Sequence, residues 1–375
     1  MKIAYLSSAA VPSNSAHSLQ VMKMCQAMQQ EGHTVTLVLP PAGGKTAAAD
    51  WERLYGVTIR FEVRRVNLPP VFGRRGLAFA LAGEAARLSP DMVYTRGVDI
   101  AWAAAARGLR TVVEIHALPA GWFGPWYLRM LARNPAVRMI AISRPLKDFL
   151  RGRFAGLAGH SILIAPDAVD LERYKRLPSP EKARARLGLP QKGFTAGYFG
   201  SLVAGRGVEQ IIELAGRLPK VSFIVLGGEE AAVDRWKRQA PNRENLRWMG
   251  HIPNAELPLY QAACDALLMP YQKAVTVQNR GNTAEIMSPM KLYEYMAAGR
   301  LILTSDLPAL RVILNETNSV LLPCDAIDLW MAALGKAQCA KVWAGVLASR
   351  ARKDVQPFTW RNRVRTIMKF AGDGG

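Results

Sequence analysis

No run of about 18 uncharged apolar residues occurs in the chain, so no transmembrane helix is expected. Cysteine is scarce. Cys25, Cys264, Cys324 and Cys339 lie far apart, no C-x-x-C occurs, and none of the five histidines stands at ligand spacing from a cysteine or another histidine. A zinc site is therefore not expected, and the plain reading is buried thiols in a reducing compartment. There is no D-x-D, so a divalent ion held by paired aspartates is not implied. The D-x-x-D pairs Asp167/Asp170 and Asp325/Asp328 read as helix caps. There is no G-x-G-x-x-G, so the dinucleotide fingerprint is missing. The start, MKIAYLSSAAVPSNSA, imitates a signal peptide, but its apolar run 3–6 stops at Ser7 and Ser8, short of an h-region. A buried first strand and a cytoplasmic protein are the expectation.

Acidic residues are also few: 29, against 49 Lys and Arg, for a net charge of +20. The excess runs through both halves, with 20 basic against 11 acidic residues in 1–170 and 29 against 18 in 171–375, so it is no basic tail. Such a balance suggests polyanionic surroundings: nucleic acid, anionic lipid or phosphorylated substrates. What the chain does have is core. Half of its 375 residues are apolar, which suits two domains of ordinary size and excludes a disordered or disulfide-stapled chain.

Residues 2–6 read as a short buried strand, 17–31 as a helix with apolar positions at helical spacing, Gly32 as its stop and 34–39 as a second strand. That βαβ order implies a parallel sheet covered by helices. Further strands are expected at 57–63, 92–94, 111–115, 139–142 and 161–165. After Pro166 the pattern restarts, with strands at 194–199, 222–226, 246–249, 266–269 and 301–304. A Gly-rich loop from Gly200 to Gly207 opens one helix, and another is expected over 289–298. The fold class is therefore α/β, two Rossmann-like doubly wound domains with ligands at the carboxyl ends of their strands.

In the segment 288–299, SPMKLYEYMAAG, Ser288 suits an N-cap and Pro289 an N1 position. Lys291 then falls at N3, where a cation opposes the helix dipole unless an anion occupies the helix start. Glu294 lies one turn on, on the same face, where its carboxylate suits a ribose diol. An ordinary i,i+3 surface pair fits the spacing equally well. His116 ends the strand 111–115, and a lone histidine there is more often a structural hydrogen bonder. Glu114 is expected on the opposite face of that strand, in a structural role.

SPMKLYEYMAAGRLILTSDLPALR (288–311) resembles the signature of retaining glycosyltransferases of family four, which have the GT-B fold. SAHSLQVMKMCQAMQQEGHTVTLV (15–38), EIHAL (114–118), IAISRPLKDFL (140–150), IAPDAVDLERY (164–174), GYFGSLVAGRGVEQIIELAGRLP (197–219) and FTWRNRVRTIMKF (358–370) resemble other landmarks of that family, in the family's order. The resemblance implies an acceptor-binding domain over 1–168, completed by a C-terminal helix at 357–375, and a donor-binding domain over 169–356. It implies transfer of a sugar from a nucleotide diphosphate sugar to a hydroxyl acceptor, lipid-linked or part of an envelope glycan. No metal or other cofactor is expected.

The resemblance places the ribose contact on Glu294 and the phosphate loop on Gly200, Ser201, Arg206 and Gly207. The family's first glutamate falls on Ile286, with Glu285 one position off, and backbone amides of 286–289, around Met287 and Ser288, are expected to supply part of that contact. Lys291 is the candidate second cation. His116 corresponds to the family's cleft histidine, and Ser15 to a turn near the donor phosphates. Arg206, Lys291 and His116 are thus the candidate catalytic residues.

The segment 121–138 sets Trp122, Phe123 and Trp126 beside Arg129 and Arg133 on a short helix, the composition of an interfacial anchor or equally of a core helix with solvated arginines. The first reading predicts an anionic membrane surface as a partner, on the inner face of the cytoplasmic membrane. No nucleic-acid module is recognised, and nucleic acid is not expected as a partner. Two other classes remain. A non-catalytic two-domain sugar- or nucleotide-binding protein would favour an export signal, and a nucleotide-dependent oxidoreductase would favour the missing dinucleotide fingerprint.

Overall fold

A computed structural model describes residues 1–41, 48–68, 73–119, 121–241, 243–277 and 281–372. By its internal contacts the chain divides into two units. One is Met1–Pro166 with Trp360–Gly375, and the other is Asp167–Thr359.

The first unit runs β1 (Lys2–Leu6), α1 (Ala16–Gln30), β2 (Thr34–Leu39), α2 (Ala48–Tyr55), β3 (Glu62–Arg65), α3 (Gly73–Leu88), β4 (Met92–Thr95), α4 (Val98–Ala105), β5 (Thr111–Ile115), α5 (Gly124–Ala132), β6 (Val137–Ala141), α6 (Arg144–Arg153) and β7 (Ile162–Ile164). Its seven strands are ordered β3-β2-β1-β4-β5-β6-β7 and all pair in parallel. β1 and β4 are buried on both faces, as their apolar runs require in a sheet covered by helices. Ser15 caps α1 by accepting from the Ser18 amide, within a Ser13–Ser15–Ser18 hydroxyl network.

The expected strand at 57–63 is corrected: only Glu62–Arg65 pairs, from Thr36 opposite Glu62 onward. Val57 and Phe61 are buried, so their alternation is real, but they pack as a loop. There the Thr58 amide donates to Gln26 Oε1 at 2.5 Å and the Ile59 amide to Glu52 Oε1 at 2.7 Å. Side chains on α1 and α2 satisfy the backbone that a sheet neighbour would otherwise satisfy.

The second unit runs α7 (Pro180–Leu187), β8 (Phe194–Phe199), α8 (Val208–Arg217), β9 (Val221–Leu226), α9 (Glu230–Gln239), β10 (Leu246–Gly250), α10 (Leu257–Ala262), β11 (Ala266–Met269), the small hairpin β12 (Thr276–Val277) and β13 (Gly281–Asn282), α11 (Met290–Ala298), β14 (Leu301–Ser305), α12 (Pro308–Arg311), β15 (Val320–Leu322), α13 (Ile327–Cys339) and α14 (Lys341–Asp354). Its six-stranded sheet is also parallel, ordered β10-β9-β8-β11-β14-β15. The final helix, α15 (Trp360–Gly372), belongs to the first unit and packs on α1.

Strand order reverses between β1 and β4 in the first sheet and between β8 and β11 in the second, where a doubly wound sheet opens a crevice at its carboxyl end. In the second unit the loop after β8 therefore sits at the switch. Gly207 ends it, capping α8 at φ +77°, and a Cβ there would overlap the Pro270 carbonyl just past β11. Gly207→Ala should cost at least about 1–2 kcal/mol from the left-handed backbone alone. Gly335→Ala, mid-helix in α13 with open space around it, should be neutral or stabilising by up to about 1 kcal/mol. Urea midpoints of the two variants against wild type check this, and equal midpoints would contradict the close approach.

Candidate functional site

At the switch of the second sheet, two cations share one aromatic ring. Lys291, near the start of α11, holds its Nζ 4.0 Å from the centroid of the Tyr198 ring on β8 and 5.1 Å from that of Tyr271, which follows β11. The Arg206 guanidinium lies 4.5 Å from the same Tyr271 centroid. Lys291 Nζ and Arg206 Nε are both buried and have no hydrogen-bond partner. Ring faces attract cations but offer no acceptor lone pair, so the pair is only partly compensated. Burial first, and the neighbouring Arg206 second, push the Lys291 amine well below its usual pKa, with Glu294 pulling weakly the other way. Burial also raises the Tyr198 and Tyr271 phenols, which stay neutral.

The glycines make room for this pair. Gly200 has φ +151°, its amide donates to Leu226 O at 2.9 Å, and a Cβ on it would collide with Lys291 Nζ. Ser201 is exposed, and its carbonyl accepts from the Tyr198 hydroxyl at 2.8 Å. Glu294, one turn after Lys291, is half-buried and accepts from Asn254 Nδ2 at 3.3 Å. The structure thus brings Gly200, Ser201, Arg206, Gly207, Lys291 and Glu294 to one end of one sheet, an arrangement suited to a phosphorylated, hydroxylated ligand. Tyr198, Tyr271 and Asn254 escaped the sequence reading. The only signal for them was position, just inside or beyond the carboxyl ends of β8, β11 and β10.

Four expectations around α11 and the aspartates are corrected. Ser288 is not the N-cap: its Oγ accepts from the Asp167 amide at 3.0 Å and bonds the Tyr293 hydroxyl at 3.1 Å. Pro289 takes the cap with extended backbone, so Lys291 stands at N2 rather than N3. The Ile286 and Met287 amides already donate to Thr283 O at 3.1 and 3.0 Å, and Pro289 has no N–H, so most of the expected amide contact is spent. Met287 is buried and Glu285 exposed, with Ile286 buried at the family's first-glutamate position. The aspartates do not serve as caps either: Asp170 heads a short 310 turn without a side-chain bond, Asp325 pairs with Lys273 and Asp328 with Arg217. Among the described residues no cluster of three or more His, Cys, Asp or Glu has metal-site geometry.

In the first unit His116 follows β5. Glu114 does not face the other way, because a strand period of two returns residues 114 and 116 to one side. The Glu114 carboxylate is fully buried and hydrogen-bonds His116 Nε2 and the Tyr94 hydroxyl. It also accepts from Gln20 Nε2 at 2.9 Å and takes a forked contact from Arg363 at 2.9 and 3.1 Å. Burial alone would raise its pKa, but Arg363, His116 and Arg96 hold it well below the usual carboxylate range. Burial, then Arg96, pushes His116 down to about 3, so its ring is neutral at physiological pH. A carboxylate only accepts, so Nε2 carries the proton and Nδ1 is left as an acceptor.

Helix α5 and the residues flanking it present Trp122, Phe123, Trp126, Arg129, Met130 and Arg133 to solvent, and the helix buries Leu128 and Leu131. Trp122 is 96% exposed. Trp126 stacks on Trp102 of α4 at 5.3 Å, which meets Phe79 of α3 edge-on at 5.8 Å, and Arg75 lies 3.8 Å over the Phe123 ring. The helix is thus anchored by one face, while the aromatic and basic face stays outside the core.

A family model described as Glycosyltransferase Family 4 matches residues 18–173, and one described as Glycosyl transferases group 1 matches residues 179–336. The chain belongs to the family 4 type of glycosyltransferases. This glycosyltransferase is 26% identical over 398 positions to phosphatidyl-myo-inositol mannosyltransferase of Mycobacterium tuberculosis, spanning 94% of this chain and 93% of that one. It is 32% identical over 123 residues to 2-deoxystreptamine glucosyltransferase of Streptomyces kanamyceticus, a match spanning 31% of this chain and 32% of that protein. Its fold is shared with Anabaena HepE, solved with UDP, at a TM-score of 0.74, 18% identity and full coverage of both chains. The two parallel-sheet units are those of the GT-B glycosyltransferases.

A buried amine depressed in pKa costs stability at neutral pH. The unfolded lysine binds its proton below ~10.4, while the folded one releases it at lower pH. The ligand-free enzyme should therefore gain stability as pH rises through that window. Lys291→Met should be more stable than wild type at neutral pH, by about 1 kcal/mol, with a flatter rise on the alkaline side. Thermal unfolding from about pH 6 to 10 checks both, and a destabilised variant with an unchanged slope would contradict them.

Proposed function

We propose that this glycosyltransferase moves a hexosyl group from a nucleotide diphosphate sugar to a hydroxyl of a lipid-linked or envelope glycan, with retention of anomeric configuration. One observation carries the reading: Lys291 Nζ and Arg206 Nε are buried without a hydrogen-bond partner and face the same Tyr271 ring at the switch of the second sheet. A diphosphate supplies the acceptors both lack, and charge-assisted hydrogen bonds to it are about twice as strong as neutral ones. Glu294 suits the ribose diol. The anomeric C–O bond breaks toward the β-phosphate, whose growing charge meets fixed cations rather than reorienting water. The acceptor oxygen enters on the same face, and its proton passes to the departing phosphate oxygen. His116, neutral with Nδ1 as acceptor, suits a substrate hydroxyl. Arg206 and Lys291 would neutralise the leaving phosphates themselves, so turnover should survive saturating EDTA.

The acceptor side rests on α5. Its exposed aromatics beside Arg75, Arg129 and Arg133 suit a surface that is apolar below and anionic above, and the name of the mycobacterial relative speaks of a phosphatidyl-inositol. No described helix is long and apolar enough to cross a membrane, which leaves peripheral attachment on the cytoplasmic face as the form this reading takes.

Two outcomes are expected. In calorimetric titration with UDP, GDP and ADP, Glu294→Ala should weaken the best binder by about 1.5–3 kcal/mol, the worth of a hydrogen bond to a charged group, without lowering the melting temperature. An unchanged affinity removes Glu294 from the site. In sedimentation with phosphatidylglycerol vesicles, wild type should bind and keep a salt-resistant fraction, because apolar insertion, unlike attraction between charges, is not screened. The Trp122/Phe123/Trp126→Ser variant should keep only the salt-sensitive part. A wild type that ignores anionic vesicles at low salt would point to an acceptor free in solution.

A further inference from the structure

The buried ionic cluster of the first unit ends on a residue far away in sequence. Arg363 stands on α15, the last helix, and its side chain is only 3% exposed. Its guanidinium is spent on buried acceptors: both Glu114 oxygens, Pro166 O at 2.7 Å and Ala165 O at 3.0 Å. Glu114, fully buried, spends its remaining capacity on Gln20, Tyr94 and His116. A forked arginine is the strongest partner a buried carboxylate finds, and no lysine reproduces its two parallel bonds.

We propose that Arg363 is a positioning residue for the transfer reaction, holding Glu114 ionised and oriented so that Glu114 fixes His116 as the neutral Nε2–H tautomer with Nδ1 free to accept. The proposal rests on the reading that His116 meets a substrate hydroxyl. A histidine that must accept a hydrogen bond from a sugar hydroxyl is useless as imidazolium and half-occupied as a mixture of tautomers. Without Arg363, the charged groups left facing Glu114 are Arg96 beyond β4 and His116 itself, with the Tyr94 and Tyr5 phenols beside them. The buried carboxylate would then either take a proton or draw one onto the imidazole. Either outcome spoils the acceptor.

The test reads the imidazole directly and needs no substrate, so it can fail independently of the proposed function. The enzyme is labelled with 15N-histidine, His116 is assigned by its absence in His116→Gln, and the ring nitrogens are followed from about pH 5 to 9. His17, His33, His160 and His251 serve as internal controls. Wild-type His116 should show one neutral tautomer, protonated at Nε2, throughout. In Arg363→Met its midpoint should rise by about 1–3 pH units, or its nitrogens should take averaged tautomer shifts, while the other histidines stay as they were. In a Glu114→Gln background the same Arg363→Met change should move His116 much less, because most of the effect runs through the carboxylate. If Arg363→Met does not fold, recovery of folding in the Glu114→Gln/Arg363→Met double variant supports the proposal, since the fault is then the uncompensated carboxylate. Failure of the double variant to fold, or a His116 spectrum in Arg363→Met identical to wild type, overturns it.

Discussion

Lys291 Nζ and Arg206 Nε are buried beside one tyrosine ring without a hydrogen-bond partner, and much of the second unit's local structure follows from accommodating the two side chains. The amine needs volume beside β8, and Gly200 supplies it, since any Cβ there would collide with Nζ. The guanidinium needs the loop folded tightly onto the segment just past β11, and Gly207 permits it by bringing backbone against the Pro270 carbonyl. The walls are the Tyr198 and Tyr271 rings, which offer electron-rich faces to the cations. A buried amine and a neighbouring guanidinium, both poorly compensated, cost stability. That is the usual sign of a site held ready for a charged ligand, in which binding energy rather than folding completes the interaction.

The first unit solves the opposite problem. There a buried anion is fully compensated: Glu114 has Arg363, Gln20, Tyr94 and His116 around it. A satisfied buried network fixes geometry more than it adds stability. What it fixes is the protonation of the ring at the end of β5. It also ties the last helix of the chain into the first unit, because the residue that neutralises Glu114 arrives with α15.

The strands flanking the switch points were legible because both faces of a parallel sheet are buried, which writes largely apolar runs such as 194–199 and 266–269 into the sequence. The edge strand β3 was not. Its apolar alternation belongs to the loop before it, and the paired residues themselves are charged and half-solvated. The cation pair was legible as residue types, through a Gly-rich loop and a lysine placed against its helix dipole. Its tyrosines were invisible, because a tyrosine beside a strand end reads as core. The link from Arg363 through Glu114 to His116 was hidden by a distance of some 250 residues in sequence. It was hidden also by assigning the two β5 side chains to opposite faces, where the strand period unites them. The start of α11 was misplaced by one residue, since nothing local shows that Asp167 and Tyr293 claim the Ser288 hydroxyl.

If the diphosphate settles between Arg206 and Lys291, the amine must charge as the phosphates arrive, because an anion in contact with it reverses the effect of burial. Binding is then coupled to proton uptake. Calorimetric titration of the enzyme with its preferred nucleoside diphosphate, in buffers of different ionisation enthalpy near pH 8, measures that uptake directly. The account predicts a net gain of up to about one proton per ligand bound, and its disappearance in Lys291→Met. Binding with no proton uptake, or with the same uptake in wild type and variant, would mean that the phosphates lie elsewhere.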